Sequence, residues 1–131
     1  MTAGSVLETT GLLSDELLLL VHPIDPDRVT LRPAPALIRR VWGNGIAAMT
    51  IGSTVFIDPM LLAVRDQRLG RLVVHELVHV RQWHDHGRVG FLIRYLAEYV
   101  KGRIRGLGHR EAYLGIGLEV DARRVVDRIT R

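Results

Sequence analysis

Residues 66–87 read DQRLGRLVVHELVHVRQWHDHG, and this stretch decides the fold because it carries both marks of a helix and an unusual distribution of polar groups. Asp66 can cap a first turn and Gly87 can end a last one. At about 100° per residue, Leu69, Leu72, Val73, Leu77 and Val80 fall on one side. Val74 and Val78 make the other side apolar too, so the helix is expected to be covered over most of its circumference. Glu76 falls inside the apolar arc, between Leu72 and Leu69, where a carboxylate without a partner is costly. His75 and His79 lie about 40° apart and one turn along the axis.

Two imidazoles so placed can reach one zinc ion at about 2.0–2.1 Å. A carboxylate beside them, Glu76, can take a proton from a water that the ion acidifies and later return it to a leaving amine. A lone helical histidine is more often an ordinary surface or core residue, and five-residue patterns arise by accident. The apolar surroundings of this HExxH motif favour a site. Cysteine is absent, so any metal must be held by histidine and carboxylate. Two ligands do not complete a zinc site. In the extended motif HExxHxxGxxH the glycine position is Gln82 here and the last position Asp85, so the third ligand is expected from a separate helix. Of the downstream carboxylates Glu98, Glu111, Glu119, Asp121 and Asp127, Glu119 is favoured, because apolar Leu118 and Ala122 would turn it inward.

The run HELVHVRQW at 75–83, taken with LEVDAR at 118–123, resembles the gluzincin group of zinc metallopeptidases, particularly the minigluzincins and short peptidase domains with an HELxHVxQ helix. Residues 47–57 also look like the strand pair preceding the motif helix in those domains, so the likeness covers about residues 45–125. The resemblance implies a zincin-like α+β fold, with a small sheet and hairpin packed on the HExxH helix and two further helices after it. It implies one Zn2+ per chain on His75, His79 and Glu119, with Glu76 as general base in peptide-bond hydrolysis. It also implies an extended peptide or protein substrate lying along an edge strand, for which residues 54–57 or their partner strand would serve. The chain departs from the pattern at Arg123, where many gluzincins carry an aspartate that supports the first histidine. Asp121 lies about 200° from Glu119 on a helix and cannot substitute, which leaves the partner of His75 unassigned. A donor to a developing oxyanion is also needed, and His109 and Tyr113 are the candidates, with Tyr95 and Tyr99 behind them.

Outward from this centre, 131 residues at 47% hydrophobic and 24% charged describe one domain able to bury about two thirds of its unfolded surface. Residues 1–15 are expected to be loosely ordered and 16–131 to form the domain. Residues 17–21 and 28–31 are read as short strands, 36–41 as a helix stopping at Gly43-Asn44-Gly45, and 46–51 with 54–57 as a hairpin around Gly52-Ser53. Phe91, Leu92, Tyr95, Leu96, Tyr99 and Val100 recur at helical spacing, as do the apolar positions of 118–129. The 18 Lys plus Arg exceed 14 Asp plus Glu, a net +4. The basic residues are scattered doublets without interleaved aromatics, so nucleic acid is not an expected partner. The charge suits an acidic substrate or partner, or a membrane-surface contact through residues 91–105. With neither a secretory signal nor a transmembrane run, a cytoplasmic location is expected. His84 and His86 read as an exposed helix end, and Gln82 as a neighbour of the metal-facing side. Two alternatives stand beside the peptidase: a catalytically silent zincin-like interaction module, and a latent peptidase covered by its own first 30 or so residues.

Overall fold

The computed structural model describes residues 1–42 and 47–131. In chain order the described elements are α1 (Ala3–Thr10), α2 (Asp15–Val21), a 3-10 turn (Pro26–Arg28), β1 (Thr30–Pro33), α3 (Ala36–Trp42), β2 (Ala48–Ile51), β3 (Thr54–Ile57), α4 (Pro59–Val64), α5 (Gln67–Ile104), α6 (His109–Leu114) and α7 (Gly117–Ile129). The molecule is thus α+β, a three-stranded sheet among helices. The expected stop at Gly43-Asn44-Gly45 and the first residue of the expected hairpin, Ile46, lie outside the described residues.

Helix α5 begins where the sequence marks it, with the Asp66 carboxylate accepting from the backbone N–H of Arg68 and Leu69 at 3.0 and 3.3 Å. Gly87 interrupts it at φ 72° and ψ 169°, a backbone conformation almost restricted to glycine. The expected stop is therefore a break between two arms, one carrying the motif and one carrying Phe91, Tyr95 and Tyr99. In the motif arm Leu69, Val73, Val74, Leu77, Val78 and Val80 are all buried, so that arm runs through the interior.

Three expectations give way. Residues 17–21 are helical rather than extended, because Ser14 Oγ accepts from Leu17 N at 3.1 Å and Asp15 and Glu16 occupy the first turn, where acids suit the helix dipole. The two buried residues of α2, Leu17 and Val21, are four apart, which is helical spacing. The expected strand at 28–31 begins at Thr30, since Asp25 caps the turn Pro26–Arg28 and curls the chain first. Residues 1–15, expected to be loosely ordered, contain α1, whose Ala3, Val6 and Leu7 share the main core with Leu69, Val73 and Leu77. Close approach of α1 to α5 requires Gly70, where a Cβ would stand 2.7 Å from Thr10 Oγ1.

The sheet order is β1-β3-β2, with β3 parallel to β1 and antiparallel to β2. Residues 54–57 are therefore the central strand, enclosed on both sides, and cannot offer an edge to a peptide; β2 is the partner that can. After α5 come α6, which was not expected, and α7, which matches the expected last helix. A second, smaller core of Trp83, Phe91, Ile116 and Leu118, with Tyr95 and Tyr99 against it, ties the second arm of α5 to the start of α7. Among the described residues, no helix is long and apolar enough to cross a membrane.

Candidate metal centre

With both faces of the motif arm buried, its two histidines find their carboxylate partner on α7. Leu118 and Ala122 are buried there and Glu119 with them, at 3% exposure. His75 Nε2 lies 3.0 Å from Glu119 Oε2, and His79 Nε2 lies 3.0 Å from Glu119 Oε1. Ligand atoms around a tetrahedral zinc ion with bonds of about 2.0–2.1 Å stand about 3.3 Å apart. Each imidazole thus meets one oxygen of the same carboxylate, and two imidazoles with a carboxylate are a donor set whose chemistry suits zinc.

Glu76 is within reach as well, since His75, Glu76 and His79 each offer an atom within 4.8 Å of the others. Its Oε2, however, accepts a hydrogen bond from Thr50 Oγ1 at 2.6 Å, and Glu119 is the closer carboxylate to both imidazoles. The two acids are thus differentiated by their surroundings: Glu119 faces the histidines and Glu76 is held from β2, beside them.

Gln82 fixes the state of His79. Its Nε2 donates to the Leu118 carbonyl at 3.0 Å, which sets the amide orientation, since a carbonyl can only accept. Gln82 Oε1 then meets His79 Nδ1 at 2.8 Å, so that nitrogen carries a proton and Nε2 is the one turned to Glu119. The same amide links the second histidine to the residue just before Glu119. Burial alone would lower the His79 pKa, but the Glu119 hydrogen bond and the Glu76 and Glu119 charges outweigh it and raise it from 6.5 to about 9. For Glu119, burial pushes upward, and hydrogen bonds from His75 and His79 override it and hold the carboxyl well below the usual range.

Tyr95 OH donates to Glu119 Oε1 at 3.1 Å, and burial beside that carboxylate raises its pKa far above the ordinary phenol value. Burial also raises Tyr113, with the charges of Glu119 and Glu76 adding to it. A run of rings positions this wall: Trp83 stacks on Phe91 at 4.6 Å and Phe91 on Tyr95 at 5.7 Å between centroids. The start of α7 is anchored by Gly117 N–H, which donates to Glu98 Oε2.

A cleft of about 760 Å³ opens over the site, with His75 and Glu76 in its wall beside Tyr95, His109 and Tyr113. His79 and Glu119 lie behind them. Compared with family models, with curated proteins and with solved structures, the chain gives no match. What the site can do must be read from its own geometry.

The structure brings His75, Glu76, His79 and Glu119 together and places His109 and Tyr113 at the same cleft. His109 is exposed and its Nδ1 is 2.6 Å from Tyr99 OH, so it stands at the rim, while Tyr113 is near the carboxylate. Among the described residues, His75 Nδ1 has no hydrogen-bond partner, and Arg123 donates to the Leu114 carbonyl instead of supporting that ring. His84 and His86 are exposed. The described residues lining the cleft begin at Ala47, and α1 is packed in the core. Sequence reading missed Thr50. Its only trace is a polar side chain at the inward position of β2, buried while Met49 and Ile51 on either side are exposed.

Proposed function

We propose that this chain is a zinc-dependent peptidase of gluzincin type. The observation that carries the reading is the convergence of His75 and His79 on both oxygens of buried Glu119, with Glu76 held separately at the cleft wall. Zinc held by those three residues would supply Lewis-acid polarisation of a carbonyl and acidification of water. Glu76, oriented by Thr50, is the proton acceptor and later the donor to the leaving amine. Tyr113 and His109 are the cleft-facing donors for the developing oxyanion, and Tyr95 steadies Glu119 from the cleft wall. The edge of β2, unpaired among the described residues, suits an extended peptide, whose backbone can pair with it with little side-chain preference.

Elemental mass spectrometry of the purified chain tests the centre. About one zinc per chain is expected, with loss or sharp weakening in Glu119→Ala. Cleavage of a mixed peptide library is then expected from the wild type and not from Glu76→Gln, which keeps its zinc. A wild type that takes up no zinc on incubation would end this reading.

A further inference from the structure

Beyond the two histidines and the catalytic carboxylate, the cleft carries an unbalanced set of charges. Arg68, Arg71, Arg110 and Arg123 line it, against Glu76 and Asp127. The cations come from three elements, α5, α6 and α7, so they are not one solvated helix face. Among the described residues none of the four has a carboxylate partner within ion-pair distance, although Arg28, Arg81, Arg94 and Arg128 elsewhere each do.

We propose that the cleft selects acidic peptides, with Asp or Glu side chains near the bond presented to His75 and Glu76. The inference rests on the peptidase reading for the meaning of that bond, but the charge selection is separable from turnover. Arg71 and Arg68 stand four and seven residues before His75, about 6 and 10 Å along the helix axis. An extended chain advances about 3.3 Å per residue, so carboxylates two and three residues from the bond come level with them. Arg110 and Arg123 add cations to the same cleft from α6 and α7. Guanidinium groups grip carboxylates through paired N–H donors, and several cations in one concave site reinforce each other's field. The apolar part of the lining, with Leu61, Leu72 and Val126, suits a peptide better than a nucleic-acid backbone.

The test is fluorescence anisotropy of the full-length chain with a labelled glutamate-rich peptide, its glutamine twin and its lysine twin, at low and at physiological salt. The glutamate peptide is expected to bind most tightly, with an advantage that shrinks as salt screens it. Arg68→Glu combined with Arg71→Glu should weaken it on the order of tenfold, while a matched reversal outside the cleft, Arg32→Glu with Lys101→Glu, should not. Equal binding of the three peptides, or equal loss in both double variants, would overturn the proposal, as would displacement of the glutamate peptide by an oligonucleotide at far lower concentration. The zinc-loaded chain is then given the same peptides. Selective binding without cleavage of any of them ends the peptidase reading and leaves the acidic selectivity standing. Cleavage indifferent to charge does the reverse.

Discussion

At the level of single residues, the site separates two carboxylates by what touches them. Glu119 receives two imidazoles and the Tyr95 hydroxyl, whereas Glu76 receives the Thr50 hydroxyl. Removing that hydroxyl with Thr50→Val is expected to lower kcat by on the order of tenfold with zinc content unchanged, the scale of one hydrogen bond to a charged group. Gln82→Ala should act the other way, weakening zinc about 10–100-fold, as loss of a group orienting a ligand does; a competitive zinc chelator titration reads it. Protonation also has a sign. His79 is raised from 6.5 to about 9, so in chelated protein its contribution to stability is complete below pH 6.5 and is lost as pH rises through 9. Glu119 is lowered from 4.5, so its contribution is present above pH 4.5 and is lost on acidification below that. The melting temperature of chelated protein should therefore be highest between pH 4.5 and 6.5, the window the two reference values define. Of these residues, the four central ones were legible because each breaks a pattern: Glu76 within an apolar arc, two histidines a turn apart, Glu119 between buried neighbours. Thr50 was not, because its role depends on how β2 lies across α5, which no local spacing encodes.

Among the elements, the motif arm and α7 could be read from capping and periodicity, and the sheet's hairpin from its turn. Residues 17–21 misled because an apolar run of that length suits a strand or a buried helix equally. The deciding signal was Ser14-Asp15-Glu16, a cap followed by acids in the first turn. Helix α4 carries the same kind of mark, with the Asp58 side chain accepting from Met60 N and Pro59 in the first turn. Gly87 was read as an end, and it is a corner. Its φ of 72° with ψ of 169° makes Gly87→Ala costly by about 1–3 kcal/mol, measurable by urea unfolding. The same variant should weaken zinc binding, because the second arm carries Tyr95 to Glu119 and Phe91 to Trp83.

For the whole molecule, the N-terminal helix is the part that composition alone could not place. Small and polar residues at 1–15 suggested loose chain, yet Leu7 is fully buried against the motif arm's own core. Leu7→Ala is expected to cost about 2–5 kcal/mol, a large share of the roughly 5–15 kcal/mol typical of such a domain; a denaturant titration gives the value. Burial there also explains how a domain of this size supports a helix apolar on nearly every side. The proposed ligands lie far apart in the chain, for Glu119 stands 44 residues beyond His75 and on another helix. An ion shared between them would close that loop like a clasp, and closing a long loop removes chain entropy from the open forms. Withdrawing the ion should therefore speed hydrogen exchange at the amides of α7 and expose the 105–117 connection to proteases, while the α1 and sheet amides stay protected. Metal supply would then govern how long the molecule survives as well as whether it works.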